Sequence, residues 1–170
     1  MRRALLLMLL TGCVTRSVVL TPLDGGATGP DASVPLTDDL SAGLDHTCVS
    51  TRGVLSCAGA NFDGALGTLD TMDRLTLSRA SIAPDVVAVS AGYSSTCALR
   101  ARGSLLCFGA NDHAQLGTGD FFPRTQPTEV FLAGRVASFS ASFAHVCAIL
   151  ADGALFCWGS NLEGELGQGD

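Results

Sequence analysis

The chain has 170 residues, 47% of them hydrophobic and only 6% aromatic, so any core has to be built mainly from Ala, Val and Leu. Its 10 basic residues are all arginine, which excludes Schiff-base or lysine-nucleophile chemistry and the lysine of a phosphate loop. A formal net charge of −6 repels phosphate backbones and argues against nucleic-acid partners.

At the start, Met1-Arg2-Arg3 followed by the apolar run Ala4 to Leu10 reads as the charged and hydrophobic regions of an export signal. The run is too short to span a bilayer, which takes about 20 apolar residues. Leu10-Thr11-Gly12-Cys13 then resembles the lipobox of bacterial lipoproteins, in which small residues precede a lipid-accepting cysteine. Residues 1–12 are therefore expected to be a lipoprotein signal peptide, with palmitate-bearing Cys13 as the lipid attachment site and membrane anchor. The alternative is an ordinary short signal followed by a chance cysteine. Cleavage would remove Arg2 and Arg3 and make the remainder more acidic still. The expected location is the bacterial cell envelope, and Val14 rather than Asp after the cysteine favours the outer membrane or cell surface over the inner membrane. Residues 13–40 hold Pro22, Pro30, Pro35 and Asp24-Gly25-Gly26, the turn-rich composition of a flexible tether that reaches about 30 Å.

From residue 41 onward one pattern recurs every 50 residues. Cys57, Cys107 and Cys157 keep that step, as do Asn61, Asn111 and Asn161, and Gly67, Gly117 and Gly167. A fixed period of this size marks units that bury their apolar faces against one another. Within each unit, short β-prone runs alternate with Gly and Asn punctuation. First strands are expected to end at Ser41-Ala42-Gly43, Ser90-Ala91-Gly92 and Ser140-Ala141-Ser142, clear over Val86–Val89 and Val136–Phe139, with a decayed copy at Thr37–Leu40. Second strands follow at His46–Ser50, Ser95–Arg100 and His145–Leu150, and third strands at Val54–Ala58, Ser104–Phe108 and Ala154–Trp158. Fourth strands are expected over Arg74–Arg79 and Pro127–Leu132. The fold class is all-β: β-propeller blades of four antiparallel strands, about three repeats, with boundaries near 41–89, 90–139 and 140–170.

The cysteines test that reading. Cys97 and Cys107 are symmetric about the loop Ala101-Arg102-Gly103, and Cys147 and Cys157 about Ala151-Asp152-Gly153. In the first unit the spacing drops by one and the loop shrinks to Arg52-Gly53. Counting back from each loop places the paired cysteines directly opposite, where Cα atoms approach to about 4.5 Å. The expected disulfides are Cys48–Cys57, Cys97–Cys107 and Cys147–Cys157, and an exported location would supply the oxidising environment. Buried free thiols are the alternative. Zinc is disfavoured, because the cysteine spacing is not that of a ligand set.

The run Ser-Ala-Gly-x-x-His-(Thr/Val)-Cys, then Gly-x-Leu-x-Cys-Trp-Gly-x-Asn and Gly-x-Leu-Gly-x-Gly-Asp, resembles the regulator of chromosome condensation repeat over residues 41–170. The resemblance implies a propeller fold, in that family usually of seven blades. The best-known member's nucleotide-exchange activity on chromatin is not carried over to an acidic, exported chain. Departures from the pattern are Ser142 and Ala114 in place of glycines, and Leu69 where the other copies have Gly119 and Gly169.

His46 and His145 share one repeat position with Ser95, which marks a structural role, and His113 is read as a solvated loop residue. Asp120 and Asp170 close loops without the carboxylate density of a calcium site. No catalytic residues, no metal site and no cofactor are expected. The chain is read as a non-enzymatic envelope lipoprotein that uses its repeats as a protein-binding or scaffold module, and not as an enzyme. Its partner is an unidentified protein or a second copy of itself. Phe121 and Phe122, the adjacent aromatics of the chain, form the candidate contact loop, unless they tuck between blades. The alternatives are a propeller enzyme acting on polysaccharide, which needs two facing carboxylates, and a non-functional fragment of a longer repeat protein. Three repeats are too few to close a propeller of four to eight blades, so an unpaired third strand at Ala154–Trp158 is expected.

Overall fold

The computed structural model describes residues 38–169. The features expected in residues 1–37, including lipid attachment at Cys13 and most of the tether, fall outside the described residues. Strands β1 (Asp39–Ala42), β2 (His46–Thr51), β3 (Val54–Gly59) and β4 (Arg74–Arg79) form one antiparallel sheet in that order. A second sheet repeats the order with β5 (Val86–Ala91), β6 (Ser95–Arg100), β7 (Leu105–Gly109) and β8 (Arg124–Glu129). The third contains β9 (Val136–Ala141), β10 (His145–Leu150) and β11 (Leu155–Gly159), with β10 in the middle. These are the propeller blades expected from the repeat.

Local sequence explains the hairpins. Arg52 and Gly53 both take positive φ, 51° and 79°, as a two-residue turn matched to right-handed strand twist requires. The longer second and third hairpins put Gly103 and Gly153 at φ 86° and 90°. Either loop delivers the same register. Ser41 and Cys57 flank Cys48, Ser90 and Cys107 flank Cys97, and Ser140 and Cys157 flank Cys147.

Two strands differ from expectation. β8 runs from Arg124 to Glu129 instead of Pro127–Leu132, because Gly109 pairs with Arg124 and Leu106 with Glu129. β8 is the outer strand of its sheet, where the missing N–H of Pro127 is tolerated. The apolar Val130 beyond it is buried in the core, not in the strand. β1 starts at Asp39 instead of Thr37 and ends at Ala42 in the expected stretch, and its polar side chains bond to the next repeat. Asp39 Oδ2 accepts from Val89 N at 2.8 Å and Ser41 Oγ from Ala91 N at 2.9 Å. Ser90 repeats the stitch one unit later, accepting from Ala141 N at 3.0 Å. The sequence boundaries at 89/90 and 139/140 fall inside β5 and β9, so repeat and sheet are offset by part of a strand.

The core lies between the sheets. Leu55, Cys57 and Leu66 of the first repeat pack with Val86 and Val89 of β5, Ala98 of β6 and Phe108 of β7. Leu99, Leu105, Leu116 and Val130 pack in turn with Val136 of β9 and Val146, Ala148 and Leu150 of β10. The second repeat thus contributes to both cores and the first and third to one each, which is why the period, and not a single amphipathic segment, carries the fold.

Candidate interaction surface

Register separates two kinds of loop. The turns after the first strands and the long loops after the third strands meet at one end, where Ala42 pairs with Thr47 and Gly59 with Arg74. This end is called the loop rim. The hairpins and the connections between sheets lie at the other end, the hairpin rim.

A repeated polar frame shapes each long loop of the loop rim. Asn111 is fully buried; its Oδ1 accepts from Leu116 N at 2.9 Å and its Nδ2 donates to Asp120 O at 2.8 Å and Thr118 Oγ1 at 3.2 Å. Asn61 makes the same bonds to Leu66, Asp70 and Thr68, and Asn161 accepts from Leu166 N at 3.0 Å. Buried amides satisfied in this way hold a loop rigid. Asp120 closes the frame. It accepts from Phe122 N at 3.0 Å and pairs with the Arg124 guanidinium, which also donates to Phe122 O at 2.9 Å. The Phe122 amide, then Arg124 and Thr118, hold the Asp120 carboxyl below the usual carboxylate range. Asp70 is lowered in the same way, first by the Met72 amide and then by Arg74. The loop therefore presents Phe121 and Phe122 on a fixed backbone, 66% and 70% exposed. They do not tuck between blades.

Other candidates are scattered. His46 is buried at the first junction, with Nε2 2.8 Å from Thr96 Oγ1. Thr96 Oγ1 donates its one proton to Ala65 O at 2.8 Å, so the imidazole is the donor in its own bond and carries its proton on Nε2. Burial lowers the His46 pKa, opposed by the Asp45 charge. His145 is half-buried at the same position of the third repeat, and His113 lies in the long loop of the second. His113 and His145 line one groove together with Glu163 and Glu165, whereas His46 lies apart at the first junction. No cluster of three or more metal-ligating side chains occurs among the described residues. Register brings each cysteine pair together, with Sγ separations of 2.14 Å for Cys48 and Cys57, 2.08 Å for Cys97 and Cys107, and 2.11 Å for Cys147 and Cys157.

Sequence reading missed two features of this rim. The ion pairs Asp70–Arg74 and Asp120–Arg124 were legible as an acid and a base four residues apart, repeated after 50. Tyr93 and Phe143 follow the first strands of the second and third repeats, and their ring centroids meet at 4.4 Å. Leu44 holds the same position in the first repeat, and that recurrent apolar residue was the available signal. Beside the ring pair, a groove of about 170 Å³ is lined by Asp63, Asp112 and His113. Burial, and then the Asp112 charge, raise the Asp63 pKa.

The chain matches two family models, both described as the regulator of chromosome condensation (RCC1) repeat, one over residues 102–149 and the other over 86–115 and 136–165. A comparison with curated protein sequences returns no match. Among solved structures it is similar to human WBSCR16, with TM-score 0.66 and 21% identity over 71% of this chain and 32% of that one. It is similar to yeast RCC1 (Prp20), solved with Kap60, at TM-score 0.64 and 21% identity over 72% of this chain and 32% of that one. Prp20p from Saccharomyces cerevisiae, described together with its binding to Gsp1p and histones, gives TM-score 0.64 and 22% identity over 76% and 33%. The chain thus spans about a third of the length of these structures, and at such identities the likeness shows the fold. Residues 86–165 match the regulator of chromosome condensation repeat, and the described residues form a run of about three β-propeller blades.

Proposed function

We propose that this chain is a lipid-anchored protein of the bacterial cell envelope, on the outer membrane or cell surface, whose propeller blades act as a non-enzymatic protein-binding module. The observation that carries the binding role is the rigid presentation of Phe121 and Phe122, two exposed rings on a loop fixed by Asn111, Asp120 and Arg124. Apolar anchors held in place before contact lose little entropy on docking, which is how a small patch gains affinity. Yeast RCC1 (Prp20), which shares the fold, was solved with Kap60 bound, and a protein-binding role here is in keeping with that. Anchoring rests on the Leu10-to-Cys13 motif, and the three cysteine pairs are disulfides formed on export.

Two measurements test this reading. Labelled palmitate is expected to enter the native chain and to be lost in Cys13→Ser, and equal labelling of both would overturn the anchor. A photo-crosslinking residue at position 121 is expected to trap a discrete protein adduct in cells, while the same residue at position 52 on the hairpin rim traps none. Equal or absent adducts at both positions would overturn the binding role.

A further inference from the structure

The two rims differ in charge. Toward the first strands, the loop rim carries Asp45, Asp63, Asp112, Glu163 and Glu165. Farther out it carries Arg74 and Arg124, each already bound by its own carboxylate, Asp70 or Asp120. The remaining arginines of the described residues, Arg52, Arg79, Arg100, Arg102 and Arg135, lie at the hairpin rim or on the connections leading to it. One end of the blades is thus strongly anionic around its groove, while the other balances its acids with arginine.

The same anionic end bears aromatic rings. Tyr93 and Phe143 meet at 4.4 Å and are 43% and 62% exposed, with Phe62 and Leu162 standing out from the long loops on either side. Between the ring pair and the long loops lies the groove lined by Asp63 and Asp112, one carboxylate from the first repeat and one from the second. Aromatic faces attract cations through their quadrupole, and a carboxylate beside them supplies a hydrogen-bonding counter-charge. A guanidinium satisfies both requirements, since it stacks on a ring and forks onto a carboxylate. Burial, and then the neighbouring Asp112 charge, raise the Asp63 pKa, and a cation between the two carboxylates would offset that repulsion.

We propose that this groove of the loop rim is the docking site for an arginine-rich segment of a partner protein, whose guanidinium stacks against Tyr93 and Phe143 and pairs with Asp63 and Asp112. The proposal rests on the protein-binding reading above and names the chemistry of the partner. It accounts for the placement of exposed rings beside carboxylates: apolar surface provides contact area and charge selects the occupant. A segment docked there runs across the junctions of the three repeats, so the site exists only in the stacked array.

The test is fluorescence anisotropy of a labelled hexa-arginine peptide with the full chain, against hexa-glutamate as control. Binding of the arginine peptide alone is expected, weakened at least tenfold by Asp63→Asn with Asp112→Asn and severalfold by Tyr93→Leu. Glu129→Gln with Asp152→Asn removes the same charge from the other rim and is expected to change little. Each variant is checked for native circular dichroism and unfolding midpoint, and Asp112→Asn alone serves if the double variant does not fold. Equal losses from the two charge-removing pairs would overturn the proposal in favour of diffuse attraction. So would indifference to Tyr93→Leu, or displacement of the peptide by spermidine at equal charge, which would make the groove a small-cation site. An inert groove combined with a discrete crosslinked adduct at position 121 would refute this site while leaving the protein-binding reading intact.

Discussion

The second and third repeats carry nearly the same pattern and bury it very differently. Leu105 is 1% exposed, while Leu155, at the same position one period later, is 64% exposed. Phe108 lies against Gly67 of the preceding repeat and Trp158 against Gly117, where its Nε1 also donates to Gln115 O at 2.9 Å. Gly167 adopts the same backbone, φ 67° against 64° and 66°, yet no neighbouring atom lies within 4 Å of the position a Cβ would take. The second repeat has a described sheet on both sides and the third on one. Burial here is a property of the junction and not of the residue, so stability divides into per-repeat and per-junction parts.

Truncating the paired leucines is the strongest way to break that comparison. Leu105→Ala is expected to destabilise by about 2–5 kcal/mol, the range for a fully buried leucine, whereas Leu155→Ala should stay within about 0.5 kcal/mol. Urea midpoints at constant slope measure both, and equal losses would show that the third repeat is as well packed as the second. Reduction probes the same contrast chemically. Cys97 and Cys107 are fully buried, and Cys147 and Cys157 are partly exposed. Mild reductant followed by alkylation is expected to label Cys147 and Cys157 first. Loss of either link removes a loop constraint of about 2.7 kcal/mol on the chain-entropy estimate. The glycines give a smaller effect. A Cβ at Gly117 would meet Trp158 Nε1 at 2.8 Å and Val130 Cγ1 at 2.9 Å. Gly117→Ala and Gly167→Ala share the cost of a left-handed alanine, so the excess for Gly117, about 1–3 kcal/mol, isolates the overpacking. Thermal midpoints of the two variants give that excess directly.

Much of the architecture was legible because the repeat says everything three times. The second strands, the hairpin loops and the opposed cysteines all follow from local turn chemistry, which the sequence displays openly. The fourth strand of the second repeat did not, because an outer strand such as β8 buries little and its composition, with Pro127 inside it, carries no β pattern. The glycine departures are instructive. Leu69 and Ala114 keep the left-handed backbone of the glycines they replace, at φ 69° and 58°, so the loop frame tolerates the strain. Ser142 differs in kind. A Cβ on its counterparts Gly43 and Gly92 would strike the carbonyls of Gly92 and Ser142 in the following repeat, at 2.4 Å and 2.3 Å. Those glycines serve a close approach between repeats, which no single unit can reveal. The groove at Tyr93 and Phe143 was hidden for the same reason, since its walls come from different repeats.

The smallest effect distinguishes the two junctions by pH. At the first, His46 donates to Thr96, which donates to Ala65; at the second, the position of Thr96 is taken by Val146, and no imidazole is buried there. Burial lowers the His46 pKa from the ordinary imidazole value of about 6.5 despite the nearby Asp45 charge, so the unfolded chain binds this proton more readily than the folded one. Stability from this group is complete above the ordinary value and is lost as pH falls toward the lowered one. Asp70, Asp120 and Glu165 are lowered from 3.8, 3.8 and 4.5, so their contributions persist above those values and disappear only in the more acid range. The two windows are separate. Urea unfolding between pH 7.5 and pH 5 is expected to show declining stability in the native chain and a flatter profile in His46→Gln, whose amide can still donate to Thr96. Parallel profiles would mean that the imidazole is not desolvated at the junction, and the first interface would then owe its strength to Phe108 and the leucines alone.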